Sequence, residues 1–218
     1  IEGNSLSLIE EKQYADIWEN DEYLQFMYER LLLMKELLSD DGSIYLHCDY
    51  HKSAHLKLIM DEIFGESNFL NEIIWVYKER GISKNFYNRK HDCILFYAKN
   101  FGQQKFYCKR ILEKYSQVTL NKFKYVSDDG RRFRIRGRNV PEAGELRRKT
   151  DIPIEMENEF TYRQYLDETI GSLPRDWIDM PFINQAANER TSYPTQKPSK
   201  LIKRFIKASS DKGDIVMD

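Results

Sequence analysis

The chain has 218 residues, 41% of them hydrophobic and 13% aromatic, with a formal net charge of -1, which is long and apolar enough to bury a core and excludes a disordered tail. No run of roughly 18 apolar residues is available for a membrane span, and three widely spaced cysteines, Cys48, Cys93 and Cys108, imply no disulfide framework. The opening Ile1-Glu2-Gly3 has neither an initiator Met nor a basic-then-apolar leader, so the expectation is a stretch of a longer cytoplasmic protein.

Apolar residues Leu24, Met27, Leu31, Met34 and Leu38 recur at steps of three and four, which predicts an amphipathic helix over 23–39, stopped by Asp40-Asp41-Gly42. Residues 43–48 then read as a short buried strand. A second helix fits 52–64, with Leu56, Ile59, Met60 and Ile63 on one side and Gly65 closing it. Two more strands are predicted over 72–77 and 93–97. Helix, strand, helix, strand, strand is the order of an α/β domain.

Residues 123–127 and 131–136 are strand-like runs joined by Asp128-Asp129-Gly130, a hairpin signal. In the second run Arg132, Arg134 and Arg136 recur at period two, so the expectation is that they project from one face. Residues 139–175 show no clear periodicity. A helix is predicted to begin at Pro198, with Leu201, Ile202, Phe205 and Ile206 on its buried side, and a strand over 214–217 follows Gly213.

The near-zero net charge hides an asymmetry, because residues 1–76 carry 5 Lys+Arg against 16 Asp+Glu while residues 101–150 carry 14 against 5. A basic block inside an acidic chain suits contact with a polyphosphate. The arginine face is either a solvated surface or a phosphate and groove contact. The neighbouring Lys122, Lys124, Arg131, Arg138, Arg147, Arg148 and Lys149 favour the second. His47, His51 and His55 have helical spacing for a metal, but His47 falls in a predicted strand, so the metal reading is rejected. His91 opens a strand and reads as a structural hydrogen-bonding residue, and Trp75 and Trp177 as packing residues. Thr195, Gln196 and Lys197 precede a helix N-terminus, which is either a plain cap or a place for an anion.

Several stretches together resemble the beta-class DNA amino-methyltransferases, which include the modification subunits of type III restriction systems. They are Leu37-Leu38-Ser39-Asp40-Asp41-Gly42-Ser43-Ile44-Tyr45-Leu46-His47-Cys48-Asp49, Asn71-Glu72-Ile73-Ile74-Trp75, His91-Asp92-Cys93-Ile94-Leu95-Phe96-Tyr97, and above all Tyr193-Pro194-Thr195-Gln196-Lys197-Pro198, followed by Gly213-Asp214-Ile215-Val216-Met217-Asp218. The resemblance implies a partial Rossmann-like methyltransferase sheet with an inserted basic target-recognition region that contains the hairpin. It divides the chain into a core part over 1–100, the insertion over 101–190 and the start of a cofactor-binding half over 191–218. It implies S-adenosylmethionine as cofactor, with Thr195, Gln196, Lys197 and Asp218 near it and no metal. Double-stranded DNA is the implied substrate, methylated at adenine N6 or, second, cytosine N4, and met by Lys122, Lys124, Arg131, Arg132, Arg134, Arg136 and Arg138. A homodimer and a restriction subunit are the implied protein partners. The family's Asp-Pro-Pro-Tyr-like tetrad, which holds the target amine, is expected before Ile1 and its glycine-rich loop after Asp218, so this stretch alone is expected to be inactive. The alternative is a non-catalytic DNA-binding or specificity module on the same scaffold.

Overall fold

The computed structural model describes residues 20–78, 83–168, 171–184, 187–191, 193 and 195–218. The chain divides into two units, the first formed by residues 1–106 and 176–218 and the second by 107–175.

In the first unit, α1 (Asn20–Leu37), β1 (Ser43–Cys48), α2 (Ser53–Phe64), β2 (Phe69–Val76) and β3 (His91–Ala98) follow in the order the periodicities predict. Gly65 ends α2 at φ 89°, in the left-handed region, while its N–H still bonds to the Asp61 carbonyl at 2.9 Å; a residue with a Cβ would be strained there. The sequence of unit one resumes with β7 (Trp177–Asp179) and α4 (Ser199–Ser209). The sheet order is β1-β3-β2-β7. β3 runs antiparallel to β1 and to β2, and β7 adds to β2 in parallel. The result is a mixed α/β sheet.

Strand β3 reads as a continuous apolar run because both of its faces are covered. Cys93, Leu95 and Tyr97 pack with Leu31 of α1 and Leu56, Met60, Ile63 and Phe64 of α2. On the opposite face Ile94 joins Trp75, Ile178 and Leu201, with Phe205 of α4 against them. Each such fully buried side chain contributes roughly 1.5–3 kcal/mol by leaving water. Tyr45 fixes α4 to the sheet: its ring stacks between Phe96 at 4.2 Å and Phe205 at 4.5 Å, and its hydroxyl meets Ser209 Oγ at 2.6 Å. Among the described residues no helix is long and apolar enough to cross a membrane.

The second unit contains α3 (Gln117–Asn121), β4 (Tyr125–Val126), β5 (Arg132–Gly137) and β6 (Thr161–Tyr165), and its antiparallel sheet has the order β4-β5-β6. The hairpin signal is realised, since Ser127 N–H bonds to the Arg131 carbonyl at 3.0 Å across the turn and Gly130 takes φ 80°. Phe133, Ile135 and Ile152 form the core of this unit with Tyr125, Leu146 and Tyr165 against them.

Three elements differ from expectation. Residues 214–217 form no strand: Ile215, Val216 and Met217 are 94%, 54% and 65% exposed, and no described strand lies beside them to share backbone hydrogen bonds. Strands β6 and β7 were hidden in sequence, because their residues are mostly polar or half exposed and lack a clean apolar alternation. The first hairpin strand is only two residues long.

Gly137 is where β5 meets the 146–149 segment. A Cβ there would lie 1.6 Å from the Leu146 carbonyl oxygen, while the Gly137 N–H bonds to the Lys149 carbonyl at 2.9 Å. Because the obstacle is backbone, Gly137→Ala is expected to cost roughly 1–3 kcal/mol, the range for overpacking. Amide hydrogen exchange should show β5 losing protection, and unchanged protection would contradict this close approach.

Candidate functional site

Strand register collects polar groups at one end of the first unit's sheet. His47 stands opposite Ile94, and Trp75 opposite Asp92, so His47, Trp75, Asp92 and Ile94 share the face that carries α4. Asp92 is 9% exposed and accepts the Tyr77 hydroxyl at 3.2 Å, with His47 Nε2 at 2.9 Å from its other oxygen. His47 is thus engaged with Asp92 through Nε2, and among the described residues no group of three or more His, Cys, Asp or Glu could hold a metal ion. His91 opens β3 and is exposed.

An aromatic wall rises beside this carboxylate. Phe182 meets Trp75 edge-on at 4.8 Å and Tyr77 at 4.0 Å, and the fully buried Trp75 donates its indole N–H to the Met180 carbonyl at 2.7 Å. Trp177, in contrast, is 39% exposed, which leaves much of its ring outside the core. Phe182, Arg190, Tyr193, Thr195, Gln196 and Lys197 line a cavity of about 240 Å³.

The loop that carries the cavity is held by its own side chains. Gln196 Oε1 accepts the Thr191 N–H at 2.7 Å and its hydroxyl at 3.0 Å, while Gln196 Nε2 donates to the Glu189 carbonyl at 2.7 Å. Gln196 is thus a staple. The Glu189 carboxylate accepts from Ser199 N–H at 3.4 Å and Ser199 Oγ at 2.6 Å, so the chain supplies its own anion to the N-terminus of α4. Thr195 is exposed, and its carbonyl accepts from Lys197 Nζ at 2.8 Å. Burial holds the Lys197 ammonium below the usual lysine range, against the opposing pull of Asp92, Tyr193 and Asp218. Asp218 itself is exposed.

These groups are suited to binding rather than covalent chemistry. Burial pushes the Cys48 and Cys93 thiols up to about 12, so at neutral pH neither is a thiolate nucleophile. What remains is a half-buried cation, an aromatic wall and polar rim atoms around one cavity.

In the second unit, the basic residues fall into two sets. Arg131 Nε meets Asp167 at 2.7 Å and its Nη2 meets Glu168 at 2.6 Å, and Lys124 meets Asp151 at 3.2 Å. Those charges are internally paired. Arg132 donates to the Phe123 carbonyl at 3.0 and 2.9 Å, Arg138 to the Glu159 and Thr161 carbonyls at 3.0 and 3.1 Å, and Lys122 to Thr150 Oγ1 at 3.5 Å. Arg134 Nε and Arg136 Nη1 both reach Gln164 Oε1, at 2.8 and 3.4 Å. Arg134 is only 7% exposed, so Arg132, Arg134 and Arg136 do not form the open row that period two suggests. The Arg134 guanidinium packs over the ring of the fully buried Phe123, 4.6 Å from its centroid, rather than projecting outward.

A family model for DNA methylases (N6_N4_Mtase) matches residues 4–218. The chain belongs to the DNA methylase family. Type II methyltransferase M.EcaI from Enterobacter cloacae is 29% identical to this methylase chain over 239 residues, covering 95% of it and 52% of M.EcaI. The Mod subunit of the type III restriction-modification enzyme StyLTI from Salmonella typhimurium is 28% identical over 235 residues, covering 90% of the chain and 36% of the subunit. The chain therefore spans about half of the first relative and about a third of the second. Among solved structures, PvuII DNA methyltransferase (cytosine-N4-specific) aligns with a TM-score of 0.52 at 11% identity, over 92% of this chain and 59% of that one, which supports the same fold.

Phe182 and Arg190 of the methylase chain carry no sequence signal of their own; Asp92 and Tyr193 do, as members of the His91–Tyr97 and Tyr193–Pro198 stretches. Lys197 provides a direct test of the site's electrostatics. Its lowered pKa means that folding disfavours the ammonium, so the unfolded chain binds more protons and stability rises with pH. The cost is fully present below the depressed folded value and vanishes above the ordinary 10.5. Lys197→Met is accordingly expected to be more stable than the parent at pH 7, with the gap narrowing as pH approaches 10.5. Urea unfolding at several pH values measures it, and a pH-independent gap would contradict the burial of this charge.

Proposed function

We propose that this protein transfers a methyl group from S-adenosylmethionine to adenine N6 at a specific site in double-stranded DNA. The observation that carries the reading is the family match over 4–218, which spans both the cavity-bearing unit and the basic unit. S-adenosylmethionine, when bound, supplies an electrophilic sulfonium methyl. The 240 Å³ cavity fits one end of such a molecule, being below the roughly 300–1,000 Å³ of pockets that enclose a whole small ligand. Lys197 there is a half-buried cation, suited to a carboxylate, with Thr195 at the rim and Gln196 holding the loop in shape. The Asp218 carboxylate offers acceptors to hydroxyl or amine donors. The Phe182 and Tyr193 rings supply aromatic walls to the cavity.

The second unit is the proposed target-recognition region. Arg132 and Arg138 rest on neutral carbonyls and keep their full charge for a polyanion, whereas Arg131 and Lys124 are already balanced by carboxylates and contribute less. Lys122, Arg134 and Arg136 add to the same surface charge. A restriction subunit is the proposed protein partner, because the StyLTI relative is a Mod subunit of a restriction-modification enzyme; a homodimer is the second assembly proposed.

Incubating the full-length protein with labelled S-adenosylmethionine and duplex DNA, then digesting to nucleosides, is expected to yield labelled N6-methyladenine. Label in N4-methylcytosine would move the target to cytosine, and absence of label would remove the enzymatic reading. Lys197→Ala is expected to weaken S-adenosylmethionine binding about tenfold or more by calorimetry, since a charge-assisted hydrogen bond is worth roughly 1.5–3 kcal/mol.

A further inference from the structure

The guanidinium groups of the second unit differ in what balances them. Arg131 has Asp167 and Glu168, Arg163 has Glu157 at 2.7 Å, and Arg175 has Glu113 at 2.7 Å. Arg134 and Arg136 have none of these. They lie two residues apart on the same face of β5, opposite Gln164 and Tyr162 of β6. Both guanidiniums converge on one neutral oxygen, Gln164 Oε1. Among the described residues no carboxylate stands within salt-bridge distance of either.

Two cations sharing one amide oxygen are under-balanced. Arg134 has little freedom to leave, being 7% exposed and stacked over Phe123 at 4.6 Å. Arg136 has a buried Nε that finds no hydrogen-bond partner, which leaves this guanidinium under-satisfied at a cost in free energy. The face is also rich in donors. With its oxygen engaged, Gln164 has its NH₂ left to offer, and guanidinium groups have no acceptor at all. A ligand that complements this face must bring acceptors and negative charge together.

We infer that Arg136, Gln164 and the underlying Arg134 form a binding site for a phosphodiester group of the DNA. This rests on the proposal that the protein acts on duplex DNA, and it names which side chains take the backbone. Arg136 is the contacting cation. Arg134, beneath it, orients Gln164 and adds field. Base edges also present acceptors in a duplex, guanine O6 with N7 among them, but a base edge carries no net charge to balance two guanidiniums.

The test is the salt dependence of duplex binding by the full-length protein, for the parent, Arg136→Ala, Gln164→Glu and Arg163→Ala. Each phosphate contact releases condensed counterion, so losing one should lower the log-log slope by about 0.9 on duplex DNA. Arg136→Ala is expected to show that drop equally on cognate and scrambled duplexes. Gln164→Glu, nearly unchanged in shape, places an internal carboxylate where both guanidiniums already point, and should lower the slope by at least as much. Arg163→Ala, which removes a charge already paired with Glu157, should leave it unchanged. If Arg136→Ala does not fold, Gln164→Glu decides alone. Unchanged slopes with DNA still bound overturn the site and leave the methylation reading standing. A loss confined to guanines of the cognate duplex overturns the phosphodiester assignment in favour of base reading. A parent protein that binds no duplex overturns both.

Discussion

Strand β3 has β1 along one edge and β2 along the other, with α1 and α2 over one face and α4 over the other. Every backbone donor and acceptor in its middle must therefore be met by a neighbouring strand, and each of its side chains from Cys93 to Ala98 must be apolar enough or polar in a satisfied way. That demand fixes the register of the two antiparallel neighbours, because a slip of one residue would exchange the two faces and bring mismatched volumes together. Tyr97 is the polar case. Its fully buried ring places the hydroxyl 2.6 Å from Asp61, which Lys57 also holds at 2.6 Å, so the polar atom is paired at the edge of the apolar cluster.

The candidate site follows from the same register. Because β3 enters the sheet at His91, the residue that begins its buried face is Asp92, and the antiparallel neighbours bring Trp75 and His47 to that end. A carboxylate at 9% exposure needs polar partners, and His47 of β1 and Tyr77, the residue after β2, meet it. The loop before α4 then lies over this end, held by Gln196 and Glu189 rather than by apolar burial. A cation such as Lys197 is tolerated half-buried because Asp92 and Asp218 offset part of its desolvation. The site is a modest cavity with a half-buried cation and aromatic walls, which suits positioning a bound molecule better than attacking one.

Charge in the second unit is governed by pairing rather than by count. A basic block of sequence suggested a uniformly cationic surface, yet the segment 151–168 returns with Asp151, Glu157, Asp167 and Glu168 against Lys124, Arg163 and Arg131. Exposed pairs of this kind are each worth little in stability, but they decide which cations retain an unbalanced field. The cations that rest on carbonyl or amide oxygens instead include Arg132, Arg134, Arg136 and Arg138, together with Arg147 and Arg148, which share Asn139 Oδ1 at 3.1 and 2.8 Å.

Local pattern was sufficient for the elements whose burial repeats within a few residues. The stripe from Leu24 to Leu38, the run from Ser43 to Cys48, the helix through Leu56 and Met60 and the Asp128-Asp129-Gly130 turn were legible because periodicity and turn chemistry are properties of neighbours in sequence. The quoted stretches from Leu37 to Asp218 likewise carried the family. Tertiary structure alone decided the rest. That β7 lies parallel to β2, that residues 214–217 pair with no described strand, that Asp92 gathers His47 and Tyr77, and that Gln164 sits under two guanidiniums all depend on partners about 15 to more than 100 residues away. Burial of Arg134 is the sharpest instance: period two correctly placed it on a face with Arg132 and Arg136, but whether that face is open depends on where Phe123 packs, and no spacing within the strand encodes that.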